Sequence, residues 1–386
     1  MSHSWLLSST RPAAGLLLGP ASSPERYELV EELHGQHHPV IEQKYAPEVW
    51  MAKEKQYVPK LWTVAGHSRS QTGGTPFRPS THPGQAHCVR ILHSFALPVE
   101  PGKAITESHR WWNMWSCAMA LELLGPSLAD WQKARASLFF PSPLVRRLVK
   151  QLLLAVDYLH TGLGQDAIGH SSISLDNLLL RECYTQDELK EDKPAASPFL
   201  KLVGFNFSLF IHDTGNGWYT EPGDWKAASA EQRLLSKAMY NESPVPPVDI
   251  WAVGQVTSLL MFGKNLAFDC GSEGQFSDAT VPAQLKIWGS PPHKVVALAS
   301  LDPEAGWPAF LSEANDQDCD PDYPFNLPGV EPVATLQERI EAQGKVTDPD
   351  EVKQLTTFLQ ACWTLDPFKR AAAKDLLKHE WLRGVE

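Results

Sequence analysis

A polar stretch near the middle of the chain has the outline of a catalytic loop. In "GHSSISLDN", His170 is followed two positions later by Ser172 and seven positions later by Asn177, and the apolar residues "LLL" come next. An Asn amide oxygen can coordinate a metal ion, whereas a hydroxyl of ordinary acidity cannot act as a general base near neutral pH. The serines are not part of a Gly-x-Ser-x-Gly elbow, so the sequence does not indicate a serine nucleophile.

The first third of the chain predicts short strands. Four segments are rich in β-branched or aromatic residues: "EVWMAKEK", "QYVPKLWTV", "HCVRILHSFAL" and "WSCAMALELL". The segment between the two pairs, "AGHSRSQTGGTPFRPSTHPG", is full of Gly, Pro, Ser and Thr, which is typical of a loop.

From about residue 126 the pattern changes to helices. "SPLVRRLVKQLLLAVDYLH" has a helical period, and "VDIWAVGQVTSLLMFG" is apolar nearly all round, as expected of a buried helix. "EVKQLTTFLQACWTL" and "RAAAKDLLKHEWL" predict two closing amphipathic helices. The Pro-rich and acidic residues 263–345 predict a surface insertion. With 386 residues the chain is long enough for two lobes.

The order of several segments resembles the protein-kinase fold from its hinge to its final helix. These segments are "ALELLGPSL", "QLLLAVDYLH", "GHSSISLDNLLL", "LKLVGFNFSL", "VDIWAVG" and "CWTLDPFKRAAAKDLLKHEWL". More narrowly, "HHPV", "VWMAKEKQYV", "HPGQAHCVRILHSF" and "ELLGPSL" resemble the SR-protein-kinase-like proteins of fungi, which are of CMGC type. The resemblance implies an α+β, two-lobed protein-kinase-like fold with a reduced β-rich N-lobe and a mainly helical C-lobe.

The resemblance also divides the chain. Residues 1–25 are expected to be a flexible N-terminal extension, residues 26–124 the reduced N-lobe, and residues 125–386 the helical C-lobe with its surface insertion around 263–345.

Three residues are expected to support the scaffold rather than the chemistry. By resemblance, Asp249 at the start of the buried helix braces the backbone of the catalytic loop, and Arg370 pairs with Glu231. A buried ion pair is costly to break from one side, so its retention indicates a folded scaffold and not activity.

The catalytic positions depart from the family's pattern. In H-x-D-x-K-x-x-N, His170 and Asn177 match, but Ser172 stands at the position of the base and Ser174 at that of the lysine. A general base contributes about 10²- to 10⁴-fold in rate. In "GFN", Gly204 replaces the Asp that chelates magnesium, so Asn177 is left as the candidate metal ligand.

The nucleotide positions are also degenerate. Lys60 is the best candidate for the third-strand lysine but comes one residue early, and Gly35 is the nearest substitute for a glycine-rich loop. Between Lys55 and Val99 there is no Asp or Glu to pair with that lysine. The hinge residues Glu122 and Leu124 complete the candidate nucleotide contacts, and whether ATP and magnesium bind stays open.

The leading hypothesis is therefore a catalytically inactive pseudokinase that acts by protein binding. One alternative is a protein Ser/Thr kinase with weak or atypical activity toward Ser in Arg/Ser-rich proteins, with Asp176 replacing the base. A second alternative is an incomplete gene model of such a kinase, because the segment between "HHPV" and "VWMA" is shorter than in the family.

Charge and composition limit the partners. The net charge of −11 argues against nucleic acid as a partner and is compatible with a basic or Arg/Ser-rich protein, for which "NDQDCDPDYP" is a candidate docking segment. No apolar run reaches the roughly 18 residues of a membrane span. Six scattered cysteines suit a reducing compartment, so we expect an intracellular protein of the cytoplasm or nucleus. The acid-free first 24 residues leave a mitochondrial transit peptide as an alternative.

Overall fold

The computed structural model of the protein describes strands in the first third of the chain, and helices, short strands and turns further on. The described residues are 17–18, 27–32, 49–54, 61–67, 80–96, 117–135, 139–164, 167–181, 199–205, 208–210, 245–267 and 334–385. The chain forms two compact units. The first comprises Met1–Pro79 and Val89–Leu124, and the second comprises Ser80–Cys88 and Gly125–Glu386.

The first unit contains a six-stranded antiparallel sheet. Its strands are β1 (Leu17–Leu18), β2 (Tyr27–Glu32), β3 (Val49–Glu54), β4 (Leu61–His67), β5 (Ile91–Ala96) and β6 (Cys117–Leu121). They lie in the order β1-β2-β3-β4-β6-β5. The four strands predicted from β-branched and aromatic residues, β3 to β6, are confirmed.

Strand β2 corrects one expectation about this sheet. It pairs with β3, with Tyr27 opposite Glu54 and Glu32 opposite Trp50. The segment between "HHPV" and "VWMA" is shorter than in the family, but a strand paired with β3 lies upstream of "HHPV". The upstream position of β2 weakens the support for missing residues at that point. The connection between β2 and β3, residues 33–48, still has the single glycine Gly35.

The second unit is mainly helical. Its helices are α1 (Leu128–Ala134), α2 (Ser142–Asp157), α3 (Val245–Phe262), α4 (Leu336–Glu341), α5 (Pro349–Cys362) and α6 (Ala373–Leu376). Two small antiparallel ribbons accompany them. β7 (Ile168–Gly169) pairs with β10 (Leu209–Phe210), and β8 (Leu178–Leu180) pairs with β9 (Leu200–Leu202).

Helix α3 lies in the core of this unit, as its nearly continuous apolar sequence predicts. Ile250, Trp251 and Val253 are buried, and Gly254 allows α5 to approach closely. An ideal Cβ at Gly254 would lie 2.4 Å from Nε1 of Trp363, which follows α5. Where the structure describes the chain, no helix has both the length and the apolarity that crossing a bilayer requires.

The last predicted helix is shorter than expected. "RAAAKDLLKHEWL" forms only the four residues of α6, followed by a 3₁₀ turn at Glu380–Leu382. The Nδ1 atom of His379 accepts from the backbone N–H of Trp381 and caps this turn. Arg146 of α2 donates to the carbonyl oxygens of Trp381 and Arg383, at 2.5 and 2.9 Å. These tertiary hydrogen bonds tie the end of the chain to α2 and supply donors for carbonyl groups that lie too near the end of the predicted helix to be paired within it.

The segment predicted as a surface insertion is anchored at both described ends. Leu266 and Ala267 are buried at its start, and Ile340 of α4 is buried near its end. Thr335 and Glu338 form a capping box that begins α4. The rest of the insertion, residues 268–333, lies outside the described residues.

Candidate functional site

The candidate site is a loop between two short strands of the second unit. Strand β7 ends at Gly169, and the loop runs into a 3₁₀ turn at Leu175–Asn177 that leads directly into β8. Apolar side chains anchor the loop, because Ile173 and Leu175 are buried between its polar residues and Leu178 is buried directly after them. The polar residues are therefore fixed by the packing of their neighbours.

Asp249, in the first turns of α3, holds the backbone of this loop. Its carboxylate is fully buried and accepts hydrogen bonds from the backbone N–H groups of His170 and Ser171, both at 2.7 Å. The ring of His160, which follows α2, contributes a third contact, with Nε2 2.9 Å from a carboxylate oxygen. Ser171 lies at φ +61°, a conformation that costs a non-glycine residue about 1–2 kcal/mol. The three contacts offset this cost.

His170 is a structural member of the loop. Its Nδ1 atom accepts from the backbone N–H of Ser172 at 3.2 Å, so the neutral ring carries its proton on Nε2 and donates it to the carbonyl oxygen of Val203 at 2.8 Å. The ring also packs edge-on against Phe205, with 4.8 Å between the centroids. Burial lowers the pKa of His170, although the Asp249 carboxylate opposes the shift. With both nitrogens engaged, this ring is not placed to transfer a proton.

Ser172, at the position of the catalytic base, is tied to Asn177. Ser172 is 7% exposed. Asn177 donates from Nδ2 to the Ser172 carbonyl oxygen at 2.7 Å and to its Oγ atom at 3.2 Å. The hydroxyl is thus an acceptor inside the loop, and the position offers no carboxylate to take a proton from a substrate.

The residues at the magnesium position do not fit the ion. Gly204 brings no ligand, and an ideal Cβ at this position would lie 2.3 Å from Oδ1 of Asn177. Magnesium requires near-octahedral oxygen coordination and is usually held through carboxylates. Among the described residues no group of three or more His, Cys, Asp or Glu side chains is placed to hold a metal ion. The Nδ2 group of Asn177 donates to Ser172 within the loop, and the assignment of Asn177 as a metal ligand through Oδ1 stays a prediction.

The candidate nucleotide residues belong to the first unit. Lys60 lies outside the described residues, and Leu61, at the position where the family pattern puts its lysine, opens β4 opposite Lys53. Glu122 forms two hydrogen bonds with the backbone of Arg90. Its N–H donates to the Arg90 carbonyl oxygen at 3.0 Å, and its Oε1 accepts from the Arg90 N–H at 2.8 Å. Leu124 is the last residue of this unit.

Arg370 connects the start of α3 to the turn after α5. It donates to the carbonyl oxygen of Thr364 at 2.8 and 3.0 Å and to that of Pro247 at 2.7 Å. Its guanidinium lies 5.0 Å from the ring centroid of Trp251. Its predicted partner, Glu231, lies outside the described residues.

Sequence reasoning missed two contributors to the site. His160 ends the quoted motif "DYLH" but was not assigned a role, and its contact with Asp249 depends on how α2 meets α3. The contact between Gly204 and Asn177 also joins residues distant in sequence. The sequence offered two signals: His160 is a polar residue at the end of an apolar helix, and Gly204 stands in place of a charged residue.

Comparison with known proteins identifies a family for most of the chain. Residues 105–382 match the protein kinase domain. The chain is 26% identical over 246 residues to cyclin-dependent kinase G1 of Arabidopsis thaliana, covering 64% of this chain and 32% of that protein. It is 32% identical over 175 residues to serine/threonine-protein kinase SRPK of Physarum polycephalum, covering 45% of this chain and 36% of that protein.

A third relative is cyclin-dependent kinase 12 of Caenorhabditis elegans, 26% identical over 239 residues that cover 62% of this chain and 26% of that protein. The chain therefore spans only about a third of the length of these curated relatives, or less. Their names confirm the resemblance to CMGC-type protein kinases.

Proposed function

Because the chain belongs to the protein kinase family, we propose that it is a catalytically inactive member, a pseudokinase, that acts by binding a protein partner. The observation that carries the proposal is Ser172. Phosphoryl transfer needs a carboxylate to accept the hydroxyl proton and charged groups to hold magnesium. Here a buried hydroxyl that accepts from Asn177 stands at the position of the base, and a glycine stands at that of the chelating acid.

The retained scaffold supports the same proposal. Asp249, His160 and Arg370 make hydrogen bonds that hold the loop and the helices, and none of these bonds requires a nucleotide or a metal. Selection on a binding surface would keep such residues while the chemical positions drift. A family member that retains its scaffold in this way is suited to a role in recognition.

The proposed partner is a basic, Arg/Ser-rich protein segment. The net charge of −11 and the acidic run "NDQDCDPDYP" favour arginine-rich ligands. The similarity to a kinase named SRPK agrees with this class of partner. The proposed function involves neither nucleic acid nor a membrane.

Binding of an Arg-Ser repeat peptide tests the partner. Isothermal titration calorimetry is expected to show binding at low salt. The affinity should fall as the salt concentration rises, because the attraction is electrostatic. Asp318→Asn with Asp320→Asn should weaken it several-fold. The control neutralises Asp375 and Glu380, which are 59% and 60% exposed, and should leave affinity unchanged. No binding, or binding insensitive to salt and to the acidic run, would contradict this partner.

The alternative function is a protein Ser/Thr kinase with weak activity, which the family match favours. Asp176 is exposed within the loop and is the carboxylate there that a substrate hydroxyl could reach. If it replaces the base, Asp176→Asn would abolish phosphate transfer while Asp375→Asn would not. The incomplete gene model is tested by sequencing the transcript, and the upstream position of β2 reduces the support for it.

A further inference from the structure

We propose that Gly204 and Asn177 together close the magnesium position of this protein, with glycine at 204 leaving the space that the Asn177 amide fills. The loss of the chelating acid and the position of the Asn177 side chain are then one coupled feature. This inference concerns the stability of the loop and does not depend on which protein partner binds.

The Asn177 amide is held in place from several sides. Its Nδ2 group donates to the carbonyl oxygen and the hydroxyl of Ser172. The backbone of Asn177 is held as well. Its N–H donates to the carbonyl oxygen of Ser174 at 3.1 Å, and its carbonyl oxygen accepts from the N–H of Val203 at 3.0 Å. Asn177 is also 3% exposed, so its side chain cannot turn away into solvent without breaking these contacts.

A side chain at position 204 would collide with this amide. An ideal Cβ on Gly204 would lie 2.3 Å from Oδ1, 2.5 Å from Cγ and 2.8 Å from Nδ2 of Asn177. Distances this short are not accommodated without movement, and the amide is fixed. Gly204 also has φ +79°, but Gly344 at φ +61° has open space where its Cβ would be. Gly204 and Gly344 therefore share a positive φ but differ in the collision, so the two effects are separable.

Restoring the family's acid at position 204 would consequently not restore a metal site. The new side chain would have to displace the Asn177 amide, and that amide would lose its bonds to Ser172. The Asn177 amide then occupies the space beside Gly204 while its Nδ2 group stays bonded to Ser172.

The glycine comparison tests the collision. Gly204→Ala adds only the Cβ atom, and Gly344→Ala adds the same atom at a similar positive φ in open space. We expect Gly204→Ala to lower the melting temperature by about 4 °C or more beyond the loss caused by Gly344→Ala. Equal losses in the two variants would overturn the proposal.

A double-mutant cycle tests the coupling to Asn177. In an Asn177→Ala background the colliding atoms are gone, so Gly204→Ala should lower the melting temperature by less than it does in the wild-type protein. Gly204→Asp should behave in the same direction, and Gly204→Ala keeps the test valid if the Asp variant does not fold. Additive losses would overturn the proposal.

Magnesium alone provides an independent readout. The wild-type protein should have the same melting temperature in millimolar MgCl₂ as in EDTA with NaCl at matched ionic strength, because a ligand raises stability only if it binds the folded state. A rise specific to MgCl₂ would overturn the inference. It would leave the Arg-Ser peptide binding unaffected, so the two proposals fail separately.

Discussion

At the scale of single residues, the site is a set of hydrogen bonds around Asp249 and Asn177. The sequence singled out His170, Ser172, Asn177 and Asp249, and the structure joins the three loop residues and Asp249 of α3 in one hydrogen-bonded network. They were found because "GHSSISLDN" and "VDIWAVG" resemble short motifs of the protein kinase family. The tautomer of His170 and the collision at Gly204 depend on tertiary distances, which no spacing along the sequence gives.

Asp249 supports a first prediction. Asp249→Ala leaves the buried N–H groups of His170 and Ser171 without their acceptor, so we expect the free energy of unfolding to fall by about 3–5 kcal/mol. Urea denaturation measures this loss. Asp375→Ala, which removes an exposed acid, should change stability by less than about 0.5 kcal/mol. A loss no larger than that of the control would contradict the assigned role.

Ser171 supports a second prediction, about backbone strain. It lies at φ +61°, and its buried hydroxyl has no hydrogen-bond partner among the described residues. Ser171→Gly should leave stability unchanged or raise it by up to about 1 kcal/mol, because relief of the left-handed strain exceeds the entropic cost of glycine. At Ser174, with φ −148°, the same change to glycine should lower stability by about 0.5–1 kcal/mol. Thermal denaturation of both variants measures these changes in stability. A larger loss of stability in Ser171→Gly than in Ser174→Gly would contradict the prediction.

At the scale of elements, the sequence predicted those helices and strands whose buried residues follow the spacing of apolar residues along the chain. The buried helix α3 and the amphipathic helices α2 and α5 were evident for this reason. The last helix was overestimated, because the apolar period continues through a 3₁₀ turn that His379 caps and does not mark where α6 ends. Strand β2 was missed, because acidic residues dilute its β-branched and aromatic signal.

His379, which caps the turn after α6, supports a prediction about pH. Burial lowers the pKa of His379 from its usual 6.5. A depressed pKa means that the unfolded chain takes up a proton first as the pH falls below 6.5, so the free energy of unfolding decreases there. His379→Asn keeps a capping acceptor but cannot titrate.

Urea denaturation at about pH 7.5 and about pH 5.5 is the measurement. The His379→Asn variant should lose less stability between the two values than the wild-type protein does, whatever its stability at the higher pH. His87 and His170 are also buried with lowered pKa values, so part of the acid sensitivity should remain in the variant. An equal loss in both proteins would contradict the role of His379.

At the scale of the whole molecule, the order of motifs along the chain was the strongest information in the sequence. Six segments in the family's order predicted a kinase-like fold, and the match of residues 105–382 to the protein kinase domain agrees with that order. The relation between "HHPV" and the strands was misjudged, because a short motif carries no information about which strands pair. Strand pairing is a tertiary property.

The whole chain also makes a prediction about nucleotides. With a single glycine between β2 and β3 and no acid from Lys55 to Val99, we expect no rise in melting temperature with millimolar ATP and magnesium. Differential scanning fluorimetry measures this, with the Arg-Ser peptide as the positive control for a stabilising ligand. A concentration-dependent rise with ATP would contradict the prediction for the nucleotide, although not the absence of phosphoryl transfer.

Transfer of radiolabelled phosphate from ATP to an Arg-Ser peptide tests the central proposal most directly. With Ser172 at the position of the base and Gly204 at that of the chelating acid, the wild-type protein is expected to label the peptide no faster than a blank without protein. Asn177→Ala and Lys60→Ala should give the same rate as the wild type. Labelling above the blank that is lost in either variant and kept in Asp375→Asn would contradict the assignment as a pseudokinase.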